Sequence, residues 1–317
     1  MRPLGQAMDR PPWHCVGGRA AGAALIAFGI VSCAPPDEPP TTSGELPAPA
    51  VAYLNPARVS AFRLETGVVY RAVRSAAEPW SVHLVEVDAS RCRLGFEVAR
   101  ARSVEGREEV SEMAHRSEPG VIAAVNGDFF TPEDRPIGLE VSGGSVRGVP
   151  TRPVFAWRPG ELPWVGPVEF RGDTLRAGRW TVPAASRVNG VQVVSGFPAL
   201  LAAGRIVGDL EMGERPGFSG ERHPRTGVGF DRGRMRLWLA VVEGRREGIA
   251  EGMTLPEFAA LFRSLGAEDA INLDGGGSSV MVIRGEVVSR SSDPSGERPV
   301  VNGLILRSDE GYCVRRM

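Results

Sequence analysis

Segments in which apolar and polar residues alternate predict that the first half of the chain is built mainly from short β-strands. Residues 81–89 alternate in this way, and residues 92–100 repeat the pattern after a turn. Residues 110–114 instead carry apolar side chains at the three- and four-residue spacing of a helix face. A continuous apolar strand follows and leads into a loop at Asn126 and Gly127. Turn signals and more short strands fill the middle of the chain, with no clear repeat.

One helix in the second half has clear start and stop signals. Thr254 and Glu257 have the spacing of a capping box, in which each side chain binds a main-chain N–H of the other. Residues 258–265 present an apolar stripe, and Gly266 can end the helix in the left-handed conformation. The short apolar run that follows predicts a buried strand leading directly to Asp274.

A glycine-rich loop follows Asp274, and a second β-prone segment follows the loop. In a P-loop or a dinucleotide-binding fingerprint the glycines open a helix, whereas this loop joins a strand to a strand. A bulge or hairpin turn is the plain structural alternative. Three adjacent glycines lose much conformational freedom on folding. The sequence therefore predicts that some group approaches the backbone of Gly275, Gly276 and Gly277 closely.

The start of the chain has the pattern of a bacterial lipoprotein. Residues 1–32 combine arginines with an uncharged apolar stretch that is short for a membrane span, which predicts a signal peptide. Cys33 ends a segment resembling a lipobox and is the predicted lipidation site, although cleavage of an ordinary signal peptide nearby is an alternative. Residues 33–50 are proline-rich and predict an extended tether. Residues 51–317 are then a domain outside the cytoplasm, periplasmic or on the cell surface, held at the membrane by the lipid.

The composition excludes several classes of protein. The chain of 317 residues has room for one large domain or two small ones, and its 42% hydrophobic content suffices for a core. It contains no lysine, so P-loop enzymes, protein kinases and pyridoxal enzymes are excluded. The net charge of −1 gives no reason to expect a nucleic-acid partner.

Histidine, cysteine and serine chemistry have little support in the sequence. His83, His115 and His223 have no metal-ligand spacing and no Cys-x-x-Cys motif occurs, so neither a metal nor a cofactor is predicted. His115 and His223 are expected to be surface or hydrogen-bonded residues. A Gly-x-Ser-x-Gly nucleophile motif is also absent. Cys92 and Cys313 could form a disulfide in an oxidising compartment, but the sequence does not show whether they are close.

Carboxylates, arginines and amides remain, and they occur at four predicted strand ends or starts. Asparagine, aspartate and glycine favour turns for local reasons, but four such groups in one domain predict a shared cleft. Arginine forks bind phosphate or carboxylate, asparagines can bind sugar hydroxyls, and carboxylates serve glycosyl transfer. The groups are Asn126 with Asp128, Arg225 with Thr226, Asn272 with Asp274, and Glu297 with Arg298 and Asn302.

At these residues the sequence resembles the phosphodiester glycosidase family. The segments that carry the resemblance are RTGVGFDR, GRREGIAEGMTLPEFAALFRSLGAEDAINLDGGGSS, VSEMAHRSEPGVIAAVNGDFF, SGFPALLAAGRIV and ERPVVNGLIL, within about residues 98–307. The resemblance implies a single α+β domain of mixed β-sheets flanked by a few helices. It also implies hydrolysis of a sugar-1-phosphodiester to sugar and phosphomonoester. It does not fix the substrate, because bacterial members of the family are diverse.

The resemblance carries over a set of pocket residues. A phosphomonoester is a good leaving group, so the site needs positive charge more than a strong general acid. Arg225 and Arg298 are the predicted phosphate-binding cations, helped by the loop amides. Asp274 is the predicted nucleophile or base, with Asp128 as its partner. The pocket residues are Asn126, Gly127, Asp128, Arg225, Thr226, Asn272, Asp274, Gly275, Gly276, Gly277, Arg298 and Asn302, and Glu297 is a further candidate.

Two other functions remain open at this stage. The protein could be a non-catalytic, glycan-binding lipoprotein of the envelope that keeps the cleft. It could also be a transferase that uses a polymer hydroxyl in place of water as the acceptor. In all three cases the predicted partner is a glycan or small molecule that contains a glycosyl phosphate.

Overall fold

The structure is a computed structural model that describes residues 45–102, 106–171, 174–178, 180–183, 190–208, 210, 215–233 and 235–313. The predicted signal peptide, Cys33 and the tether up to residue 44 lie outside the described residues. Within them, no helix has both the length and the apolar character that crossing a membrane requires.

The folded domain begins before residue 51. Helix α1 (Ala48–Leu54) buries Ala50 and Leu54, and Leu46 just ahead of it is also buried. These side chains pack in the same apolar cluster as Phe258 and Leu261. Residues 46–50, predicted to be part of an unpacked tether, therefore belong to the domain. This segment packs on the domain because Leu46, Ala50 and Leu54 together supply enough apolar surface to dock a single short helix.

The largest sheet has eight strands and an apolar core on each face. Its central strand alternates between two clusters: Leu237, Leu239 and Val241 pack on one side, and Trp238 and Ala240 pack on the other. This period of two is what a strand covered on both faces requires. In spatial order the strands are β1 (Pro56–Glu65), β2 (Val68–Ser75), β3 (Ser81–Asp88), β17 (Arg236–Val242), β16 (Arg225–Asp231), β18 (Asp269–Asn272), β14 (Ala199–Ala202) and β15 (Arg205–Ile206).

A second sheet of five strands shares one of these cores. Helix α2 (Val110–Arg116) covers its other face through Val110, Met113 and Ala114, which confirms the predicted helix stripe. The strands, in spatial order, are β20 (Glu286–Val287), β19 (Met281–Ile283), β5 (Val121–Asn126), β21 (Asn302–Ser308) and β4 (Leu94–Arg100).

Two smaller sheets are formed by the middle of the chain. The five-stranded one contributes buried side chains such as Phe155 and Val193 to the core that the two larger sheets share. In spatial order its strands are β7 (Ser145–Arg147), β6 (Glu140–Ser142), β13 (Gln192–Ser195), β8 (Val154–Trp157) and β9 (Trp164–Gly166). The three-stranded one is made of β10 (Val168–Arg171), β11 (Thr174–Ala177) and β12 (Trp180–Pro183).

Helix α4 (Leu255–Leu265) has the predicted ends. Thr254 Oγ1 accepts a hydrogen bond from the Glu257 N–H, and the Glu257 carboxylate accepts one from the Thr254 N–H. Gly266 ends the helix with a φ of +94°, in the left-handed region that favours glycine. A short helix, α3 (Pro216–Ser219), and two 3₁₀ turns (Gly276–Ser278 and Glu310–Tyr312) complete the elements that the structure describes.

The α+β class with few helices is confirmed. Where the resemblance implied mixed sheets, every pair of strands among the described residues runs antiparallel. Antiparallel neighbours place the start of one strand beside the end of the next. This geometry decides which polar residues meet.

A disulfide joins Cys92, in the turn between β3 and β4, to Cys313 near the end of the described chain. Their Cα atoms are 4.8 Å apart although 221 positions separate them in sequence. The sequence left this bridge open because spacing along the chain says nothing about such a distance.

Candidate active site

The four groups of polar residues at strand ends lie in one region. Strands β16 and β18 are antiparallel neighbours, with Gly227 opposite Asn272. Strands β5 and β21 are paired in the same way in the second sheet, with Gly303 opposite Asn126. Each sheet thus brings one pair of the predicted polar segments together.

Asn126 then joins the two sheets. It is fully buried, and its Oδ1 accepts hydrogen bonds from Thr226 Oγ1 (2.7 Å) and the Val280 N–H (3.2 Å). Its Nδ2 donates to the Asp274 carbonyl (2.6 Å), while the Asp274 N–H donates to the Gly127 carbonyl (3.0 Å). Asn126, Gly127 and Thr226 therefore hold the glycine-rich loop in position through bonds made within the protein.

Asp128 is a buried carboxyl group, and only one of its two oxygens has a hydrogen-bond partner among the described residues. Its Oδ2 accepts hydrogen bonds from Ser195 Oγ (2.6 Å) and the Gly138 N–H (2.8 Å), and its own N–H donates to Asn302 Oδ1 (2.8 Å). Oδ1 has no partner among the described residues, and the residue is 1% exposed. Burial raises the pKa of Asp128 to about 6, although the bonds from Ser195 and Gly138 and the charge of Arg152 oppose the rise.

Asn302 links Asp128 to a buried ion pair. Its Nδ2 donates to Glu140 Oε2 (2.5 Å), and Glu140 is paired with Arg100. A side chain at Gly127 would collide with this arrangement, since a Cβ atom there would lie 2.1 Å from Asn302 Oδ1. Asn302 therefore orients the main chain at Asp128, and glycine at position 127 is required for it to do so.

Asp274 is the more accessible carboxylate of the two. It is partly exposed, and its Oδ1 accepts a hydrogen bond from the Gly275 N–H (2.9 Å). Burial raises the pKa of Asp274, opposed by the neighbouring Ser278 hydroxyl, the Gly275 N–H and the charges of Arg298 and Arg152. The site therefore holds two carboxyl groups that both ionise less readily than a carboxyl group in water.

The glycine-rich loop joins β18 to β19, strand to strand, through a single 3₁₀ turn. A Cβ atom on Gly277 would lie 2.5 Å from Arg298 Cζ, and one on Gly276 would lie 2.9 Å from Arg245 Nη2. Gly276 also has a φ of +63°, which favours glycine. The groups that approach the loop backbone closely thus include two arginines of the protein itself.

Two of the three main-chain N–H groups of the glycine-rich loop already donate hydrogen bonds within the protein. The Gly275 N–H donates to the Asp274 carboxylate, and the Gly276 N–H donates to the Pro224 carbonyl (2.9 Å). In this geometry they hold the carboxylate and the loop, so the predicted role of these amides as phosphate donors has no geometric support.

The contacts of Arg225 do not fit its predicted role in phosphate binding. Its guanidinium is 2% exposed and donates to three main-chain carbonyls, those of Met253 (2.8 Å), Phe218 (2.7 Å) and Glu221 (3.3 Å). Burial lowers its pKa to about 10. Arg225 fixes the segment around helix α3 at the border of the site.

Arg298 and Glu297 differ although they are adjacent. Arg298 packs against Gly277, and its charge lowers the pKa of Asp274, while its Nε donates to Asp293 (2.9 Å). Glu297 Oε1 accepts a hydrogen bond from the Ser111 N–H (3.0 Å) in the first turn of α2. Arg298 therefore belongs to the site, and Glu297 stabilises a helix end.

Arg152 is a site residue that the sequence did not reveal. Its positive charge lowers the pKa of both Asp128 and Asp274, so it lies within electrostatic reach of the two carboxyl groups. The guanidinium lies 5.3 Å from the Phe129 ring centre and 5.2 Å from that of Phe197. Its Nη1 is buried without a hydrogen-bond acceptor among the described residues. This nitrogen is available for a ligand.

A signal for Arg152 was nevertheless present. It precedes strand β8 in the same way that Arg225 opens β16, as an arginine beside the start of an apolar run. Arg245 and Ser195 were also missed. Arg245 has a φ of +59°, which is uncommon for a residue with a side chain, and is exposed beside Gly276. Ser195 lies in a segment that carried the family resemblance.

Three partly buried phenylalanines border the site. Phe218 lies between Phe129 and Phe197, with ring centres 6.1 Å and 6.4 Å apart. Asn272 holds one of them, since its Nδ2 donates to the Phe197 carbonyl (2.7 Å), while its Oδ1 has no partner among the described residues. Aromatic faces beside polar groups suit a sugar ring, which is apolar on its faces and polar at its rim.

The histidines are placed as expected. His115 is exposed, and a hydrogen bond joins His223 Nε2 to the Gly217 carbonyl (2.6 Å). His83 is buried between Tyr70 and Glu243. The described residues contain no group of three or more His, Cys, Asp or Glu side chains that could hold a metal ion.

Comparison with known proteins gives a family match and several similar structures. The phosphodiester glycosidase family model matches residues 119–307. No curated protein sequence matches the chain. A hypothetical protein from Synechocystis is similar in structure, with 18% identity and a TM-score of 0.62 over 80% of this chain; this chain covers 64% of that one.

Two further solved structures share the fold. A Burkholderia pseudomallei protein described as exported has 20% identity and a TM-score of 0.58, covering 74% of each chain. The catalytic domain of zebrafish N-acetylglucosamine-1-phosphodiester α-N-acetylglucosaminidase, auto-inhibited by its pro-peptide, has 23% identity and a TM-score of 0.57, over 80% of this chain and 82% of that one. Together with the family match, which spans more than half of the chain, these similarities show that the protein belongs to the phosphodiester glycosidase family.

Proposed function

We propose that the protein is a hydrolase that cleaves the glycosidic bond of a sugar-1-phosphodiester, releasing the sugar and a phosphomonoester. The observation that carries the proposal is the grouping of two carboxyl groups, Asp128 and Asp274, around one arginine, Arg152, whose Nη1 has no partner among the described residues. Carboxylates can attack or activate water at an anomeric carbon. A guanidinium can bind the phosphate oxygens that take up negative charge as the bond breaks.

In this mechanism the bond between the anomeric carbon and the phosphate oxygen breaks, and its electron pair leaves with the phosphate. Arg152 and Arg298 neutralise the charge that develops there. Asp274 acts at the anomeric carbon, either as the nucleophile or as the base that takes a proton from water. Asp128, with a pKa of about 6, is its partner and can hold a proton near neutral pH. Phe129, Phe197 and Phe218 offer faces for the sugar.

The structure-based proposal differs from the sequence hypothesis in its cations. Arg152 takes the phosphate-binding role that the sequence hypothesis gave to Arg225, because Nε and Nη2 of Arg225 already donate to main-chain carbonyls. Arg245 is a further candidate for contact with the part of the substrate beyond the phosphate, since it is exposed beside Gly276.

The test is hydrolysis of a panel of sugar-1-phosphodiesters by the purified domain, with separate detection of free sugar and phosphomonoester. Asp274→Asn should abolish release, and Asp269→Asn is the matched control at the opposite end of strand β18. Adding an acceptor alcohol distinguishes hydrolysis from transfer, because a transferase would give a glycosylated alcohol. Binding of the substrates with no turnover by the parent protein would refute the enzyme proposal and favour the glycan-binding alternative.

We also propose that the protein acts outside the cytoplasm, anchored through a lipid on Cys33. The lipobox-like sequence, the disulfide between Cys92 and Cys313 and the likeness to an exported Burkholderia protein support this location. In cells, the parent protein should take up radiolabelled palmitate and fractionate with membranes. Cys33→Ser should remove both properties, and labelling that persists in this variant would contradict the proposal.

A further inference from the structure

A cleft of about 470 Å³ lies along the outer edge of strand β4. The hairpin of β6 and β7, Trp157 of β8 and Gln192 of β13 form its other walls. Four arginines line it, and they define what we call the arginine cleft: Arg100, Arg102, Arg116 and Arg147. None of the residues predicted from the sequence to form the site lines this cleft.

The positive charge of the arginine cleft exceeds the negative charge around it. Arg100 is neutralised by Glu140, and Arg116 by Glu108. Glu97 also lines the cleft, but it is paired with Arg307. Arg102 and Arg147 are exposed, and neither forms an ion pair within the part of the chain that the structure describes. Arg102 does lie near Glu108, whose pKa it helps to lower, but that carboxylate is already paired with Arg116. Two arginine charges are therefore in excess.

The cleft is not suited to pairing with another strand. The backbone groups on the open edge of β4 are occupied by side chains: the Val98 N–H donates to Gln192 Oε1 (2.8 Å), and the Val98 carbonyl accepts from Ser142 Oγ (2.5 Å). The Arg100 carbonyl accepts from Arg116. Side-chain charge, and not the main chain, is what this edge offers to a ligand.

The arginine cleft is physically connected to the candidate active site. Arg100 lies opposite Asn302 across the β4–β21 pair, and Gly303 lies opposite Asn126 across the β21–β5 pair. Only β21 therefore lies between β4, which lines the cleft, and β5, which leads to Asp128, so that the backbones of β4 and β5 are roughly 10 Å apart. The ion pair of Arg100 with Glu140 continues through Asn302 to the main chain of Asp128.

From this juxtaposition we propose that the arginine cleft binds a second phosphate group of the same glycan, so that the enzyme acts on chains carrying more than one phosphate. The proposal rests on the proposed function for its substrate class. Its own basis is the surplus of two exposed arginine charges in a cleft on the outer edge of β4, in the same sheet as β5, the strand that leads to Asp128. A substrate with a single phosphate would leave the cleft unused.

The first test measures binding without catalysis. Inorganic phosphate is titrated into the ¹⁵N-labelled domain carrying Asp274→Asn, at constant ionic strength, and the indole N–H signal of Trp157 is followed as a local reporter. Trp157 lines the cleft and is 5% exposed. We expect a saturable shift that weakens on the order of tenfold when Arg102→Ala and Arg147→Ala are added, because each removes a charge-assisted contact. Arg176→Ala with Arg205→Ala removes the same charge from two exposed sites elsewhere and should leave the shift unchanged.

The second test measures kcat/KM for a substrate with one phosphodiester and for a polymer of the same sugar-1-phosphate. The ratio of polymer to single substrate should fall on the order of tenfold in the Arg102→Ala, Arg147→Ala variant and stay constant in the charge-matched control. An equal response of Trp157 to sodium chloride, an unchanged titration in the arginine variant or an unchanged ratio would overturn the proposal. If no substrate is turned over, the proposed function fails, while the Trp157 titration still decides whether the cleft binds phosphate.

Discussion

Two buried polar clusters in this protein differ in how fully their atoms are paired. One lies around Tyr70, His83 and Glu243, in the large sheet. His83 is hydrogen-bonded to Tyr70 Oη at Nδ1 (2.8 Å) and to Glu243 Oε1 at Nε2 (2.9 Å). Glu243 also accepts from Arg246 and from the Arg290 N–H (2.8 Å). The three side chains form a closed network.

The second cluster is the candidate active site. We call it the open cluster because several of its polar atoms have no partner among the described residues. Asp128 Oδ1, Arg152 Nη1 and Asn272 Oδ1 are buried and have no partner among the described residues. An unpaired buried polar atom costs roughly 1–3 kcal/mol, so such atoms in one place need a reason. The contrast teaches that a buried histidine and carboxylate do not mark a site by themselves. What distinguishes the candidate site is that a carboxylate oxygen, a guanidinium nitrogen and an amide oxygen, all without a partner among the described residues, occur together.

The largest effect should come from Asp274. Asp274→Asn keeps the shape of the side chain but removes the charge, and we expect kcat to fall about 1,000-fold or more, equivalent to about 4 kcal/mol. Thermal stability should stay the same or rise, because the variant removes a partly buried carboxylate whose pKa is raised in the folded protein. Steady-state kinetics and a melting curve of the same sample check both parts. Activity near the parent level would show that the open cluster is not catalytic.

Replacing Glu243 should reduce stability and leave kcat unchanged, which is the opposite of the result expected for Asp274. Burial opposes its ionisation, but the hydrogen bond and charge of His83, the Arg290 N–H and the charge of Arg246 together lower the pKa of Glu243 to about 2. A lowered pKa in the folded state stabilises the fold above the ordinary value of 4.5, and this stabilisation is lost as the pH falls from 4.5 toward 2. Glu243→Gln should therefore cost roughly 3 kcal/mol of unfolding free energy at neutral pH.

Denaturant titrations at several pH values measure this effect. The variant should lose the acid-dependent part of the stability curve, and its kcat should remain close to that of the parent. Glu161→Gln, which breaks an exposed pair with Arg158, is the control and should change stability by less than about 1 kcal/mol. A large loss of kcat in a fully folded Glu243→Gln protein would contradict the division into a closed and an open cluster.

Replacing Arg152 should have the next largest effect, a loss of kcat/KM. Its replacement by alanine removes a guanidinium whose charge lowers the pKa of both carboxyl groups, and we expect kcat/KM to fall about 100-fold, equivalent to nearly 3 kcal/mol. Arg152→Lys keeps a charge but not the planar fork, so it should recover only part of the loss. Arg225→Lys should behave differently, with lower stability as the primary defect, because Arg225 binds three carbonyls. If Arg152→Ala is harmless to kcat/KM, the phosphate is bound elsewhere.

This difference between the two arginines shows where the sequence stops being informative. Arg152 and Arg225 both stand beside the start of an apolar strand, and the local patterns are equivalent. What separates them is the set of neighbours. Arg225 donates a hydrogen bond to the carbonyl of Met253, 28 positions away. Arg152 instead acts electrostatically on two carboxyl groups, each of which follows the end of a different strand. Such neighbours come from the tertiary fold, and no local pattern encodes them.

The parts that could be predicted rest on local rules. The cap of helix α4 follows from Thr254, Glu257 and Gly266 themselves, and the strand after the glycines follows from their β-prone neighbours. That the four polar segments meet was inferred only because so many strands ended in polar residues. The disulfide between Cys92 and Cys313 was left open for the opposite reason, since no local signal joins positions 221 residues apart.

The smallest expected effect concerns Asp128 and separates its two possible roles. The Ser195 hydroxyl stabilises the Asp128 carboxylate, which holds its pKa down to about 6. Ser195→Ala removes this bond while Gly138 still donates, so the pKa should rise, by about one pH unit. The corresponding inflection in the pH profile of kcat/KM should move upward whichever form is active. If it lies on the alkaline limb, Asp128 works protonated, as an acid; if it lies on the acid limb, Asp128 works as the carboxylate. An inflection that stays in place would mean that the titrating group is not Asp128. The inflection would then be assigned to Asp274.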